Sequence, residues 1–297
     1  MKSKATIVGL GLIGGSIALD LRHLGLYDEV TGVDKNADHA EQALRLNLVD
    51  KIEPEDKALA SADLVVLAIP VNAIQALLPA VLSLVKDTAV VVDTGSTKFM
   101  ICRSVSRHPK RNQFVASHPI AGTENSGPAA AFCGLFRDKT NIICEADQSA
   151  PAAVEVALRL FQELGMKTIF MQPDEHDRHL AYVSHLSHVS SFLLGQTVLD
   201  IEKDEKNIAA LAGSGFASTV RLAKSSPDMW APIFEQNMEY LSQALQEYII
   251  HLQRFQHHLL KRNTGELHRT LREANQIRRI LEGIEIKSTS ITEKPIV

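Results

Sequence analysis

A glycine-rich turn near the N-terminus constrains the fold more than any other feature of the sequence. Gly9, Gly11 and Gly14 form a GxGxxG pattern that follows the apolar segment Ala5–Val8 and precedes a segment with helical periodicity. The first glycine permits a tight turn, the second lets the backbone approach a pyrophosphate, and the third lets helix and strand pack closely. The sequence therefore predicts a strand–turn–helix unit that binds a dinucleotide at the positive end of the helix.

A carboxylate marks the end of the next predicted strand. Asp34 directly follows the apolar run Val30–Val33. A carboxylate at this position accepts hydrogen bonds from the ribose hydroxyls and repels a 2′-phosphate. Asp34 therefore favours NAD over NADP as the cofactor, although the neighbouring Lys35 keeps NADP as an alternative.

Up to Gln172 short apolar runs alternate with helical stretches, which predicts an α/β fold with a parallel sheet covered by helices. The predicted strands are Ala5–Val8, Val30–Val33, Leu64–Ile69, Ala89–Val92, Gln113–Ala116, Asn141–Cys144 and Thr168–Phe170. The predicted helices of this part are Ser16–Leu24, Asp38–Leu46, Ala73–Leu84 and Ala152–Leu164. After Pro173 nearly every segment is typical of helix. We expect a Rossmann domain over residues 1–172 and an all-α domain over residues 173–297, with a flexible tail from about residue 287.

One helical pattern in the second domain suggests an interface. Its apolar residues alternate spacings of four and three and are Phe234, Met238, Leu241, Leu245, Tyr248, Leu252, Phe255 and Leu259. Such a stripe on one long helix is typical of a coiled-coil-like seam. Packing within one subunit would also explain it, but we favour a homodimer interface.

The bulk composition excludes several classes of protein. The 297 residues suffice for two domains, and a net charge of −4 gives no reason to expect nucleic acid or an anionic membrane as partner. No apolar run approaches the roughly 20 residues that cross a bilayer, and no signal peptide precedes the first strand. The three cysteines form no CxxC pair, so we expect reduced thiols and a cytoplasmic protein.

Further segments with polar residues follow one another in order along the chain. They are Asp93–Lys98, Ser117–Gly127, Glu175–Asp177, Ser184–His188, Gly215–Ala223 and Pro227–Trp230. Together with the glycine-rich turn they resemble the prephenate/arogenate dehydrogenase family. The resemblance implies a Rossmann domain followed by a helical dimerisation domain, and an NAD-dependent oxidative decarboxylation. We expect the short form, without a fused chorismate mutase or a regulatory domain.

The resemblance also implies roles for single residues. His118 matches the catalytic histidine, Ser96 the serine that hydrogen-bonds to it and to the substrate hydroxyl, and Arg221 the arginine that holds a substrate carboxylate. The other expected substrate contacts are Thr123, Glu124, His188, Ser218 and Trp230. For Trp230, the resemblance allows a contribution from the partner subunit. The expected cofactor contacts are Gly9, Gly11, Leu12, Ile13, Gly14, Asp34, Pro70 and Asp93.

These residue types suit the implied chemistry. Prephenate loses a hydride from C4, a hydroxyl proton and its ring carboxylate, and a neutral histidine is a natural proton acceptor near pH 7. The dianionic substrate needs a cation, and a guanidinium binds carboxylate in a bidentate manner. Simpler roles are available to each residue: His118 as a surface histidine, Ser96 as a helix cap, and Arg221 as a surface ion-pair partner.

Four histidines between residues 176 and 188 suggest a metal site at first sight. On one α-helix, at about 100° per residue, His176 and His179 would face away from His185 and His188. We therefore expect no metal. His188 should face the substrate, and His176 should support the domain junction.

The choice of substrate depends on one missing charge. Arogenate carries an ammonium where prephenate carries a ketone, and relatives commonly have an acid in the segment between Gly215 and Arg221, where this chain has Ser218. The absence of an acid favours prephenate, although Glu124 could supply the charge. The alternatives are arogenate dehydrogenase, a 3-hydroxyacid dehydrogenase or imine reductase, and an NAD-binding regulator without turnover.

Overall fold

The structure is a computed structural model that describes residues 3–203 and 207–282. Its contacts divide the chain into two compact units, Met1–Leu241 and Ser242–Val297. The domain boundary expected near Gln172 lies inside the first unit, at the end of the sheet, and stays a prediction. The tail expected from residue 287 lies outside the described residues. No helix in the described ranges is long and apolar enough to cross a membrane.

One eight-stranded sheet organises the first unit. Its strands are β1 (Lys4–Val8), β2 (Glu29–Val33), β3 (Lys51–Ile52), β4 (Leu64–Leu67), β5 (Val90–Asp93), β6 (Phe114–Pro119), β7 (Thr140–Cys144) and β8 (Lys167–Met171). The order across the sheet is β3-β2-β1-β4-β5-β6-β7-β8. The first six strands are parallel and have the order of the doubly wound dinucleotide-binding fold. The α/β prediction is therefore confirmed.

The sheet departs from the predicted parallel arrangement at β7. This strand is antiparallel to β6, and Asn141 lies opposite Pro119. The chain between them contains only a short 3₁₀ turn, Pro128–Ala130, and no crossover helix. Without a helix to carry it to the other end of the sheet, the chain re-enters at the edge where it left. The resulting long connection carries Thr123 and Glu124.

Helices that precede β8 pack on both faces of this sheet, and only helices follow β8 along the chain. They are α1 (Leu12–His23), α2 (Ala37–Arg45), α3 (Glu55–Ser61), α4 (Val71–Leu84), α5 (Phe99–Val105), α6 (Pro151–Glu163), α7 (Pro173–Leu180), α8 (Leu186–Glu202), α9 (Ser214–Val220), α10 (Pro227–Gln236), α11 (Met238–Leu260) and α12 (Thr264–Ala274). The four predicted N-terminal helices are confirmed as α1, α2, α4 and α6.

Two apolar layers enclose the sheet. Along β4, Val66 points into the layer that contains Ile17 and Phe161, whereas Val65 points into the layer that contains Ile74. Strands that are buried on both faces are apolar at every position, as these are. The carboxyl ends of the parallel strands all lie at one edge of the sheet, which is where a doubly wound fold binds its ligand.

The helical part departs from the sequence prediction in two places. A five-residue π-helical turn, Ala181–His185, joins α7 to α8. The apolar stripe does not lie on one helix, because α10 ends at Gln236 and α11 begins at Met238. The intervening Asn237 is buried, and its side-chain amide donates to the Asp177 carbonyl at 2.7 Å. The expected continuous helix is therefore interrupted at Asn237, whose polar side chain is hydrogen-bonded in the interior.

Candidate active site

The glycines of the turn after β1 have different surroundings. A Cβ on Gly9 would lie 2.3 Å from the Ala68 carbonyl oxygen, and the φ of Gly9 is +93°. A Cβ on Gly14 would lie 1.9 Å from the carbonyl oxygen of Gly9. Gly11 differs, since a Cβ there would meet no atom within 4 Å. Gly9 and Gly14 are thus required by the fold itself, whereas Gly11 borders open space that a ligand can approach.

The N-terminus of α1 faces that open space without a side-chain cap. Gly11 is the N-cap residue and offers no side-chain hydrogen bond. The first backbone N–H groups of a helix, here those of Leu12 and Ile13, have no partner within the helix. These donors, together with the helix dipole, fit the pyrophosphate of a dinucleotide.

Asp34 lies beside the same turn. Its carboxylate accepts hydrogen bonds from the backbone N–H groups of Leu10 at 2.8 Å and Asn36 at 2.9 Å. The side chain is one-tenth exposed at the end of β2, and His39 Nδ1 lies 3.9 Å from its Oδ2. This arrangement fits recognition of a ribose diol. Pro70 is half-buried at the start of α4, after the neighbouring strand β4.

Asp93 does not have the surroundings expected of a cofactor contact. Its side chain is completely buried and forms an ion pair with the equally buried Lys98. The carboxylate also accepts hydrogen bonds from the backbone N–H groups of Gly95 at 2.9 Å and Ser117 at 3.1 Å. We correct the expectation for this side chain: its carboxylate ties the end of β5 to β6 instead of facing a ligand.

A chain of three buried side chains leads inward from His118. The Nδ1 atom of His118, at the end of β6, lies 2.8 Å from Nε2 of His176 on α7. The Nδ1 atom of His176 lies 2.7 Å from Oδ1 of Asp177. The Asp177 carboxylate also accepts hydrogen bonds from the backbone N–H groups of Lys98 at 2.8 Å and Phe99 at 3.0 Å. His118 is therefore part of a His–His–Asp chain that is anchored at the N-terminus of α5.

Burial keeps these histidines neutral. It lowers the pKa of His118 well below its usual value, and the charges of His176 and Lys98 act in the same direction. Burial also lowers the pKa of His176, although Asp177 opposes that shift. The pKa of His185 falls to about 4, again mainly through burial. Near pH 7 His118 is thus a neutral ring that can accept a proton.

Ser96 is not the partner of His118 in this structure. It lies half-buried on the loop between β5 and α5, and no hydrogen bond joins it to His118 in the described part of the chain. The neighbouring His185 accepts from Asn237 Nδ2 at 2.9 Å through its own Nδ1. The Ser96 carbonyl raises the pKa of His185 and so opposes the fall that burial causes. Among the described residues, however, no group forms a hydrogen bond with His185 Nε2. The orientation that we expected from Ser96 comes from His176.

The Trp230 ring packs against two histidines of the same chain. It stacks on His188 with centroids 3.5 Å apart, and meets His185 edge-on at 5.9 Å. His188 is half-buried, and its Nδ1 donates to the Ser184 carbonyl at 3.0 Å, which leaves Nε2 as an acceptor. A contribution of Trp230 to the site of the partner subunit stays a prediction.

Arg221 and Glu124 form an ion pair at the exposed side of this region. The Nη1 atom of Arg221 donates to Oε2 of Glu124 at 2.9 Å, and half of the Arg221 side chain is exposed. Hydrogen bonding to its own backbone lowers the pKa of Glu124, and the ion pair with Arg221 acts in the same direction. Thr123 and Ser218 are exposed. A carboxylate ligand that binds Arg221 must therefore compete with Glu124.

Sequence reasoning missed the roles of His176, Asp177 and Asn237. The segment Glu175–Asp177 carried the signal, but the sequence assigns only His176 a role there, as support for the domain junction. The sequence analysis placed His176 and His185 on opposite faces because it assumed one regular α-helix. The π-helical turn between them changes the angle, and the two rings lie close enough to interact. Within residues 3–203 and 207–282, no group of three or more His, Cys, Asp or Glu side chains could hold a metal ion.

Comparison with known proteins covers nearly the whole chain. Residues 17–170 match the prephenate dehydrogenase nucleotide-binding domain, and residues 172–273 match the prephenate dehydrogenase dimerization domain. Cyclohexadienyl dehydrogenase of Zymomonas mobilis is 31% identical over 93% of this chain and 95% of its own length. Prephenate dehydrogenase of Bacillus subtilis is 29% identical over 94% of this chain and 76% of its own length.

Solved structures agree with these matches. The prephenate dehydrogenase of Aquifex aeolicus, in complex with hydroxyphenyl propionate and NAD+, has a TM-score of 0.87 and 28% identity, and the match covers 94% of this chain and 98% of that one. The arogenate dehydrogenase of Synechocystis has a TM-score of 0.74 and 29% identity, with 94% and 99% covered. On the evidence of both domain matches and of the site geometry, the chain belongs to the prephenate dehydrogenase family.

Proposed function

We propose that the chain converts prephenate to 4-hydroxyphenylpyruvate by oxidative decarboxylation. The cofactor is NAD, in keeping with the nucleotide-binding domain, with Asp34 beside the turn, and with the NAD+ bound in the Aquifex aeolicus relative. Bound NAD supplies the acceptor for the hydride that leaves C4 of the substrate. The observation that carries the proposal is the neutral, buried His118 at the carboxyl edge of the sheet.

His118 accepts the proton of the substrate hydroxyl. A neutral ring with a free Nε2 can take this proton as the hydroxyl becomes a carbonyl, and can return it to the phenolate oxygen once CO2 has left. The reaction therefore releases no net proton. Ser96, on the loop after β5, is proposed to hydrogen-bond to the same hydroxyl, and His188 to line the pocket with its free Nε2.

Arg221 binds a carboxylate of the substrate. Its guanidinium is half exposed and already holds one carboxylate, that of Glu124, through a single Nη1–Oε2 contact, so a substrate carboxylate could bind it in the bidentate manner. Thr123 and Glu124 lie on the long connection that follows the strand of His118, and we assign both to the substrate side of that residue. Substrate binding exchanges one carboxylate for another on Arg221.

The preference for prephenate depends on charge. Helix α9 has the sequence SGFASTV and contributes no acid, and the Glu124 charge is neutralised by Arg221. Arogenate is the alternative, and the position of Glu124 favours it: when a substrate carboxylate takes Arg221, the released Glu124 could pair with an ammonium. The known relatives include proteins named for either substrate.

Steady-state kinetics separate these two substrates. We expect wild-type kcat/KM to favour prephenate at least about tenfold, because charge complementarity in a partly buried site is worth one or more decades. Ser218→Asp should shift the preference towards arogenate. Ser106→Asp adds the same charge at the far end of α5 and serves as the control. Equal use of both substrates by the wild type would contradict the proposal.

We also propose a homodimer that forms through the helical domain. Along α11, Tyr248, Leu252 and Leu259 are exposed by 37%, 51% and 52%. An exposed apolar stripe on one long helix is typical of an interface. The match to a dimerization domain over residues 172–273 supports the same assembly.

A further inference from the structure

His176 and Asp177 have a role that the proposed reaction does not yet use. Both side chains are buried, at 0% and 2% exposure, and both lie behind His118 as seen from the proposed substrate side. We propose that His176 and Asp177 are positioning residues, which fix the tautomer of His118 and hold its second proton while the substrate proton is on the ring. This proposal rests on the proposed function, because it assumes that His118 is the proton acceptor.

The direction of each hydrogen bond in the chain follows from its inner end. The Asp177 carboxylate already accepts from the backbone N–H groups of Lys98 and Phe99, and an ionised carboxylate can only accept. The proton between Asp177 and His176 therefore belongs to His176 Nδ1. In a neutral His176 the other nitrogen, Nε2, has no proton and must accept.

The same logic fixes the outer ring. Since His176 Nε2 accepts, the proton in the 2.8 Å hydrogen bond belongs to His118 Nδ1. A neutral His118 then has no proton on Nε2, which is the nitrogen left for the substrate. The three side chains thus present the basic nitrogen outward without any help from solvent or ligand. Orientation of one histidine by a hydrogen bond to its other nitrogen is a common way to select a tautomer.

Proton movement along the chain balances without another reactant. The substrate hydroxyl gives its proton to His118 Nε2, while His118 Nδ1 gives its own proton to His176 Nε2. His118 remains neutral, and the charge lies on His176, whose Nδ1–H still donates to the ionised Asp177. After decarboxylation both protons return. A buried imidazolium is costly unless it is paired, and Asp177 supplies that pairing only at His176.

The charged and titratable groups around the hydrogen-bond chain favour a positive charge on His176 over one on His118. Those that act on His118 or His176 are Lys98, Asp93, Asp177 and His185. Lys98 opposes a positive charge on either histidine, whereas Asp177 favours one on His176. The proton is therefore held better on the inner ring than on the outer one.

The first test is a double-mutant cycle on kcat. Glutamine at position 176 can still accept from His118 but cannot hold a proton, so His176→Gln should lower kcat by roughly 10–100-fold and change the KM for prephenate by less than about twofold. In a His118→Asn background the same change should have no further effect, because His176 acts through His118. His179→Gln, on the exposed face of the same helix, is the control and should match the wild type.

The second test is the pH dependence of kcat. Asp177 raises the pKa of His176, so Asp177→Asn should move the acidic limb of the profile to lower pH and lower its plateau. A purely structural role would leave the limb in place. Wild-type kcat in His176→Gln, additive losses in the double variant, or an unshifted limb in a folded Asp177→Asn would each overturn the proposal.

Failure of the proposed function would look different. A wild type without turnover of prephenate or arogenate would refute that function, and the hydrogen-bond chain could still be examined by ¹⁵N NMR of the histidine rings. We expect a protonated Nδ1 signal that disappears in His118→Asn and changes in His176→Gln. An unprotonated His118 Nδ1 would overturn the proposal about His176 and Asp177 alone.

Discussion

Gly11→Ala should separate cofactor binding from folding. Gly11 has extended backbone angles, φ −71° and ψ −160°, and a Cβ there meets no protein atom within 4 Å. Alanine is a slightly poorer N-cap than glycine but restricts the unfolded chain, so the two effects nearly cancel and stability should change by less than about 0.5 kcal/mol. The methyl group, however, occupies the space through which a pyrophosphate would reach the amides of Leu12 and Ile13.

The expected loss of affinity follows from those amides. Hydrogen bonds to a charged group contribute about 1.5–3 kcal/mol each, and a loss of one of them weakens binding by roughly 10–100-fold. Isothermal titration of Gly11→Ala with NAD measures this loss, and thermal unfolding of the same protein should show a melting temperature within about 2 °C of the wild type.

Gly14→Ala is the matched comparison. Its Cβ would lie 1.9 Å from the Gly9 carbonyl oxygen, which belongs to a backbone that cannot easily move. Alanine gains about 1 kcal/mol of helix propensity, but overpacking costs about 1–3 kcal/mol or more, so this variant should lose stability. If Gly11→Ala bound NAD as tightly as the wild type, the pyrophosphate would not rest on this turn, and the reasoning would be refuted.

Four other variants test separate parts of the site and the assembly. Asp34→Asn should weaken NAD and relatively favour NADP, and equal wild-type use of both cofactors would contradict the role of this carboxylate. Glu124→Gln should lower the KM for prephenate by about two- to fivefold, because it removes a partly exposed ion pair that contributes up to about 1 kcal/mol. Arg221→Ala should raise the KM far more than it lowers kcat. Leu252→Glu should yield a monomer in sedimentation, and an active wild-type monomer would rule out the homodimer.

Much of the fold was accessible from the sequence because its signals are local. The glycine turn and the apolar runs at β1, β2 and β4 predict both the elements and the edge where the ligand binds. The two-residue strand β3 and the seven-residue helices α3 and α5 are too short to show a period. The reversal at β7 depends on how the chain returns after Pro119, and no residue in β7 encodes its direction.

The candidate site was accessible as a set of residues but not as a set of contacts. His118 and Arg221 were found by resemblance, and the structure pairs them with His176 and Glu124 respectively. These pairs join residues 58 and 97 positions apart, so only the tertiary fold brings them together. No hydrogen bond joins Ser96 to His118 among the described residues, so the role that the resemblance implies for Ser96 stays a prediction.

The π-helical turn at Ala181–His185 amounts to one extra residue inserted into an otherwise regular helix. Such an insertion rotates everything that follows by about 100° while it adds only about 1.5 Å of length. Deletion of Val183, whose side chain is 74% exposed, would remove the extra residue without opening the core. The shortened helix would turn His185 away from Asn237 and His188 away from Trp230, although every one of these side chains would remain in the sequence. The sequence thus determines which side chains are available, but the one extra residue in the helix determines the direction in which His185 and His188 point.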